Sequence, residues 1–415
     1  MREEAEAEAL RAKACASEVA LFSLDRRNAA LASMAEAIRH SQAAILAANQ
    51  QDCEEAQQSG RKEAFIDRLT LTSQRLQAAA AGLEALMALP DPLGVQRSFL
   101  AAEGIRIEQR RVPFGVLAII YEARPNVTVD AAGLALKSGN TVVLRGSREA
   151  RRSNAALVTA LRDGLTAAGL PVEAIGFVAN PNHEDVDHLL SLRGIVDLAI
   201  PRGGAELIER VVSLAKIPVI ETGAGVCHIY VHAEANEAMA LSIIDNAKTQ
   251  RPSVCNAVET VLVDREIAPQ FLPKLDERLT ARGVRLHAAP QALAWMPHAV
   301  LAGPDEWRTE HLSLDLGVQI VAGLQEAVTH IERFGTHHSD AIVTDDQAVA
   351  QRFLDTVDSA CVYWNASTRF TDGFQFGFGA EVGISTQKLH ARGPMGLSEL
   401  TTYKYIIRGE GQVRT

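Results

Sequence analysis

The stretch VLAIIYEARPNVTVDAAGLALKSGNTVVLR, residues 116–145, decides the fold class of this chain. Its apolar runs at 116–120 and 141–144 predict two strands, and the segment between them predicts a helix over 125–137. Strands that are apolar throughout, with amphipathic helices between them, indicate a parallel sheet covered on both faces. The stretch therefore predicts an α/β fold.

The alternation of strand and helix continues to residue 220 and starts again at residue 228. In the first part the pattern predicts helices 149–168, 183–192 and 205–216 and strands 175–179, 196–200 and 218–220. In the second part it predicts strands 228–231, 258–263, 318–321, 341–343 and 361–364, and helices 237–248, 270–281, 325–334 and 348–357. Two doubly wound α/β domains result, with ligands expected at the carboxyl ends of their strands.

Three segments stand outside this alternation. Residues 1–90 are rich in Ala, Glu, Leu and Gln at helical spacing, which predicts helix almost throughout. Residues 105–112 alternate apolar and polar side chains, which predicts an exposed strand or hairpin arm. The stretch YKYII at 403–407 also has the pattern of a strand.

The composition is that of a soluble globular protein and excludes several functions. Of the 415 residues, 47% are apolar and 22% are charged. The net charge of −10 (41 − 51), without a long Lys/Arg run, argues against binding to nucleic acid or to a membrane surface. The longest compact apolar run, 116–121, is far shorter than the ~20 residues that span a bilayer. Five cysteines without a CxxC pair favour a reducing cytoplasm.

Cys255 is the cysteine in the most unusual setting. It lies in QRPSVCNA, residues 250–257, where a predicted helix ends, Pro252 breaks the chain and a strand follows. A cysteine on such a turn can face a cleft, and a nearby Arg or backbone N–H groups can hold it as a thiolate. The residues alone leave two interpretations open, a nucleophile or a buried structural thiol.

Two further positions follow predicted strands. Gly203 and Gly204 let a phosphate approach the N-terminus of the next helix, although Gly-Gly also forms ordinary strand–helix turns. Asn126 follows Arg124-Pro125 and either caps the next helix or points its amide at a substrate oxygen. The HExxH and Walker motifs are absent from the sequence, and we predict no metal and no nucleotide hydrolysis.

With these positions in place, the chain resembles the gamma-glutamyl phosphate reductase family, the proline-biosynthesis branch of the aldehyde dehydrogenase superfamily. Segments that carry the resemblance, in the family's order, are residues 112–146, 201–208, 217–231, 246–263 and 393–414. The resemblance implies NADPH-dependent reduction of L-glutamate 5-phosphate to L-glutamate 5-semialdehyde and phosphate through a cysteine thioester. The alternative is another member of the superfamily, acting on a CoA thioester or a free aldehyde.

The resemblance also implies site residues. Cys255 matches the catalytic cysteine and Asn126 the asparagine of the oxyanion hole. Arg145 matches the position that holds the adenosine ribose, where an extra cation suits the 2′-phosphate of NADPH. Gly203 and Gly204 match the turn near the pyrophosphate, and Glu310 a residue that contacts the nicotinamide ribose.

Substrate binding and the role of Glu221 are less defined. An anionic acyl phosphate needs cations, and candidates are Arg124, Lys137, Arg251 and Arg392, each of which can equally form a surface salt bridge. Glu221 falls where hydrolytic relatives have a water-activating Glu, but its neighbours differ from theirs. A reductase of acyl phosphates needs no such water.

The resemblance divides the chain into an aldehyde-dehydrogenase-like set of parts. Residues 1–97 and 113–227 form the NADPH-binding domain and 228–365 the catalytic domain. Residues 366–392 return to line the cleft, and 98–112 with 393–415 form a small β oligomerisation arm. A homodimer or higher oligomer is implied.

Overall fold

The computed structural model describes residues 2–101, 104–179 and 182–413, and the chain divides into two units. Within the described residues, unit 1 comprises Met1–Thr222, Gly377–Gly383 and Met395–Thr415, and unit 2 comprises Gly223–Phe376 and Ile384–Pro394. The first segment of unit 1 thus ends at Thr222, and unit 1 contains the expected arm except residues 393 and 394, which belong to unit 2. Residues 102 and 103 of that arm, and its last two residues, lie outside the described residues.

Unit 1 begins with the predicted helical region, which consists of five helices. Its elements in chain order are α1 (Arg2–Val19), α2 (Leu24–His40), α3 (Gln42–Gln58), α4 (Glu63–Leu69), α5 (Ser73–Ala88), β1 (Gly94–Leu100), β2 (Arg106–Pro113), β3 (Val116–Tyr121), α6 (Asn126–Lys137), β4 (Thr141–Arg145), α7 (Arg151–Ala167), β5 (Ile175–Phe177), α8 (His183–Leu189), β6 (Leu198–Arg202) and α9 (Ala205–Leu214). Side chains cap α2 and α5, where the Ser23 and Thr72 hydroxyls accept from the backbone N–H of Arg26 and Arg75.

The parallel sheet of unit 1 has the strand order β5-β4-β3-β6. Successive residues of β3 belong to two different cores because side chains alternate across a strand. Leu117 and Ile119 pack with residues of α2, α5, α6 and α7. Ala118 and Ile120 pack with residues of α1 and α8. Burial on both faces explains why the strand is apolar throughout, and it confirms the predicted parallel sheet.

Unit 2 contains a second parallel sheet, of seven strands, in the order β10-β9-β11-β8-β7-β12-β13. Its elements are β7 (Cys227–Val231), α10 (Glu237–Thr249), β8 (Val258–Asp264), α11 (Ala268–Thr280), β9 (Arg285–Ala288), β10 (Val300–Leu301), β11 (Asp315–Val321), α12 (Leu324–Phe334), β12 (Ser339–Val343), α13 (Gln347–Thr356), β13 (Cys361–Trp364), β14 (Ile384–Ser385) and β15 (Gly393–Pro394). Helices α10 and α11 cover one face, and α12 and α13 cover the other. The sequence predicted an α/β fold with parallel sheets, and this fold class is confirmed.

The arm is a three-stranded antiparallel sheet in which β2 lies between β1 and β16 (Thr401–Arg408). The alternation at 105–112 predicted its central strand, and YKYII predicted β16. The sheet begins at Gly94, inside the segment that the sequence assigned to the first domain.

The short elements show where the sequence pattern fails. The strand predicted at 218–220 is a single bridge between Ala199 and Val219. The two-residue strands β10, β14 and β15 have no periodicity to read, and the four-residue β9 was also missed. Among the described helices, none is long and apolar enough to cross a bilayer.

Candidate active site

Unit 1 places Asn126 at the first turn of α6, directly after the loop that leaves β3. The cap position is Pro125, and no side chain caps this helix, so the expected alternative of Asn126 as a cap is wrong. The exposed Asn126 side chain instead donates from Nδ2 to Oδ2 of Asp130, one turn later, over 3.2 Å. The amide therefore has a fixed orientation and a second N–H left for another acceptor.

Asp130, the partner of the Asn126 amide, was not predicted from the sequence. Removal from water raises the pKa of Asp130 to about 6, although Asn126 and Arg202 favour its charged form. Glu381, in the segment that returns to unit 1, adds to the rise and lies 3.9 Å from Arg202. The spacing of Asn126 and Asp130 on one helix was the signal for their contact.

Gly203 and Gly204 connect β6 to α9, as predicted. The Gly204 N–H donates to Oε2 of Glu122 over 2.9 Å, and a Cβ on Gly203 would lie 2.6 Å from that oxygen. A side chain at 203 would therefore crowd the Glu122 carboxylate at this turn. The N-terminus of a helix attracts negative charge, and a carboxylate bonded here shows that the donor is aimed at an anion. The expected contact of this turn with a pyrophosphate stays a prediction.

Arg145 is the last residue of β4, and only 6% of it is exposed. Its Nη2 donates to the carbonyl oxygen of Asn182, which precedes α8, over 3.2 Å. Burial is the main cause of a lowered pKa for this guanidinium, while the charge of Asp185 opposes it. A buried, oriented guanidinium at a strand's carboxyl end is suited to a phosphate ester.

Lys137 lies in a different place from the other candidates. It is fully buried, and its Nζ donates to Oδ1 of Asn28 over 2.8 Å and to the carbonyl oxygen of Met87 over 3.3 Å. Arg27 donates to the Lys137 carbonyl oxygen from within the same helical layer. The contacts identify Lys137 as a structural residue, and they contradict its prediction as a substrate ligand.

Unit 2 carries Cys255, half-buried, in the loop between α10 and β8, as predicted. A buried ion pair ties the two ends of this loop together. The Lys248 ammonium near the end of α10 donates to the Val258 carbonyl oxygen over 2.9 Å and to Glu259 over 2.6 Å, both in β8. Breaking such a pair is costly because it leaves an uncompensated buried charge. The pair therefore holds the two ends of the loop in place.

The Cys255 backbone is contacted by Cys227, at the start of β7, and by Gly225, in the segment that precedes β7. The fully buried Cys227 thiol donates to the Cys255 carbonyl oxygen over 3.2 Å. Burial raises the pKa of Cys227 well above its ordinary value, so this second thiol stays protonated. Its hydrogen bond shows that Cys227 supports the backbone of Cys255.

Glu310 belongs to the same support. Its Oε1 accepts a hydrogen bond from the Gly225 N–H over 2.7 Å, and Gly225 packs directly against the Cys255 carbonyl. Glu310 thus fixes the segment that precedes β7. Its expected contact with a nicotinamide ribose stays a prediction.

The remaining cations separate by their contacts. Arg251 is exposed at the start of the Cys255 loop, and Arg124 is half-buried in the loop after β3. Arg392 donates to Oδ1 of Asp358 over 2.7 Å, and Lys388 forms a second ion pair with the same carboxylate. Arg392 is therefore part of a surface salt bridge, the second of its two expected interpretations.

The described residues contain no group of three His, Cys, Asp or Glu side chains arranged to hold a metal ion. All five cysteines are free thiols.

Comparison with known proteins identifies the class. The model of the aldehyde dehydrogenase family matches residues 1–292, and the chain belongs to this family. Membership implies a nicotinamide cofactor and a small-molecule substrate.

The relatives narrow the class. A gamma-glutamyl phosphate reductase of Thermobifida fusca is 52% identical over 405 residues, 97% of each chain. One of Thermoanaerobacter pseudethanolicus is 50% identical over 412 residues, covering 99% of this chain and 100% of the relative. The crystal structure of gamma-glutamyl phosphate reductase from Thermotoga maritima superposes with a TM-score of 0.96 at 43% identity, covering 99% and 100% of the two chains. The similarity thus extends over the whole length and the whole fold.

Proposed function

We propose that the protein reduces L-glutamate 5-phosphate to L-glutamate 5-semialdehyde and phosphate with NADPH, in proline biosynthesis. The proposal rests on the sequence identity to proteins named gamma-glutamyl phosphate reductase. About half of all residues are identical, over nearly the full length. The anchored Cys255 loop in unit 2 and the oriented Asn126 amide in unit 1 support it.

The first step is covalent. The Cys255 thiolate attacks the acyl carbon of the substrate, a C–S bond forms, and the C–O bond to phosphate breaks as phosphate leaves with the electron pair. Negative charge develops on the carbonyl oxygen before phosphate leaves. The second N–H of Asn126 and the backbone N–H of Cys255 would donate to that oxygen.

The second step reduces the thioester. NADPH, when bound, supplies the hydride that the thioester carbon accepts. The carbon then becomes tetrahedral and carries a negatively charged oxygen, to which the Asn126 amide would again donate. When the C–S bond breaks, the aldehyde is released and the Cys255 thiolate is regenerated. Arg145 would hold the 2′-phosphate, the Gly203-Gly204 turn the pyrophosphate, and Glu310 the nicotinamide ribose.

Phosphate dependence distinguishes this reaction from its alternative. In the reverse direction, oxidation of glutamate semialdehyde by NADP⁺ should require inorganic phosphate and should not accept CoA in its place. Turnover with CoA, or turnover to free glutamate without phosphate, would identify another acyl reductase or a hydrolytic aldehyde dehydrogenase.

We also propose that the protein is a cytoplasmic homo-oligomer. Its five free thiols fit a reducing compartment. In the arm, β16 is an edge strand with exposed side chains, among them Tyr405 at 57% and Ile407 at 63%. An edge of this kind favours pairing with a second chain. Sedimentation of the wild type should show a dimer or larger species that Ile407→Asp shifts to smaller mass, and a monomeric wild type would exclude the proposal.

A further inference from the structure

Arg369 is half-buried in a short turn that follows β13, in a segment with no periodic sequence pattern. Its Nε donates to Oε1 of Gln250 over 2.8 Å, and its Nη1 donates to Oδ1 of Asn256. These two partners stand on either side of Cys255 in the chain. One guanidinium therefore bridges the entry and the exit of the loop that carries the thiol.

The same turn holds Asn256 by its other polar groups. Asn256 is 4% exposed, and its Nδ2 donates to the Thr371 carbonyl oxygen over 2.7 Å. The Thr368 hydroxyl donates to the Asn256 carbonyl oxygen over 2.7 Å. Together with the Arg369 hydrogen bond to the side-chain oxygen, these contacts fix the residue next to Cys255. Such a network restricts the conformations that the loop can adopt.

The charge of Arg369 also acts on the thiol. Burial is the main reason that the pKa of the Arg369 guanidinium lies below its ordinary value, and Arg251 acts in the same direction. Asp372 and Cys255 act in the opposite direction, since their charged forms favour the cation. The effect of two charges is mutual, so the guanidinium stabilises the Cys255 thiolate.

We propose that Arg369 is a positioning residue, which bridges Gln250 and Asn256 to fix the Cys255 loop and holds the Cys255 sulfur as a thiolate. The inference deepens the proposed function and rests on Cys255 as its nucleophile. Groups of unit 2 that can change the charge near this thiol are Arg251 on the loop, Cys227 on β7, His338 beside Cys227 and directly before β12, Glu310 beside Gly225, and Asp372 next to the Arg369 turn.

The test is the pH dependence of alkylation at Cys255, which needs no substrate or cofactor. Iodoacetamide reacts with the thiolate, and peptide mass spectrometry separates Cys255 from the other four cysteines. In Arg369→Gln the apparent pKa of Cys255 should rise by roughly one unit, which slows its alkylation about tenfold below that pKa. The control is Arg352→Gln, an exposed arginine of α13, which should leave the alkylation profile unchanged. An Arg369→Gln profile that coincides with the wild type would overturn the proposal.

Arg369→Lys keeps the charge but loses the planar fork, and it decides the question if the glutamine variant does not fold. We expect a Cys255 alkylation pKa close to that of the wild type and a kcat at least about tenfold lower, because the fork no longer bridges both sides of the loop. An unchanged kcat would overturn the bridging role. If Cys255→Ser turns over at the wild-type rate, the proposed function fails instead.

Discussion

A Cβ atom on Gly225 would lie 1.5 Å from the carbonyl oxygen of Cys255 and 2.9 Å from its Cα. The backbone before β7 and the backbone of the nucleophile loop therefore touch without an intervening side chain. Glu310 and Cys227 hold the two sides of this contact through hydrogen bonds to Gly225 and to Cys255. The position of Cys255 depends on a residue that has no side chain.

Gly225→Ala should displace the Cys255 loop. Neither backbone can yield cheaply, so we expect a loss of roughly 1–3 kcal/mol in the free energy of unfolding and a larger loss in kcat than in cofactor affinity. Denaturant unfolding and steady-state kinetics measure both. Gly303→Ala is the control, since nothing lies within 4 Å of a Cβ there. Equal behaviour of the two variants would contradict the contact.

Cys255→Ser should fold and bind NADPH but lose reductase activity, because a hydroxyl at this position is far less ionised than a thiol. Cys53→Ser, a half-buried cysteine of α3, should keep its activity. Activity within tenfold of the wild type in Cys255→Ser would remove the nucleophile from the mechanism. NADPH binding, measured by titration calorimetry, checks that the Cys255→Ser variant is folded.

Asn126→Ala should reduce kcat by about 10²–10³ through loss of one oxyanion donor. The KM values should change much less, because the donor acts on charge that develops only during reaction. Asn126→Asp should be no better than alanine, since a carboxylate cannot donate. A variant that changes KM alone would identify Asn126 as a substrate-binding residue.

Arg145→Ala should weaken NADPH use selectively. Hydrogen bonds to charged groups are each worth about 1.5–3 kcal/mol, so KM for NADPH should rise roughly tenfold to a hundredfold. The KM for NADH, which has no 2′-phosphate, should change little. Equal effects on the two cofactors would show that Arg145 does not contact the 2′-phosphate.

His330 should make unit 2 sensitive to acid. It packs against the rings of His228, Trp307 and Phe334, and burial lowers its pKa from 6.5 to about 3. Between these values the unfolded chain binds a proton that the folded chain does not. Stability from this site is therefore present above pH 6.5 and is lost as the pH falls towards 3, by up to about 1.4 kcal/mol per pH unit.

His330→Leu removes the side chain that causes this pH dependence. Its free energy of unfolding, measured with denaturant from pH 7 down to pH 5, should fall less steeply with decreasing pH than that of the wild type. His40→Leu changes an exposed histidine of α2 and should keep the wild-type slope. Parallel slopes for wild type and His330→Leu would show that folding does not lower the pKa of His330.

Periodic segments made the fold readable from the sequence. Strand β3 is apolar at every position because helices cover both faces of its sheet, and this pattern leaves little ambiguity. Two-residue strands such as β10 pair through the backbone alone, and side chains carry no record of it.

The candidate site was readable only where a motif exists. Cys255 stands between a helix end and a strand, and that setting marked it before any resemblance was considered. Arg369 and Glu122 act through residues more than 80 positions away in sequence, Asn256 and Gly204, and no local pattern reports such a contact. Lys137 has the charge of a ligand, but the α5 and α2 residues that bury it are invisible in its own segment.

A covalent γ-glutamyl group on Cys255 is the most direct evidence for the central claim. The protein is mixed with glutamate semialdehyde and NADP⁺ in the absence of phosphate, quenched in acid and digested for peptide mass spectrometry. The account predicts one γ-glutamyl thioester on the peptide that contains Cys255, and its disappearance when phosphate is added before the quench. An acyl group on another residue, or NADPH formed in a full single turnover with Cys255 unmodified, would contradict it.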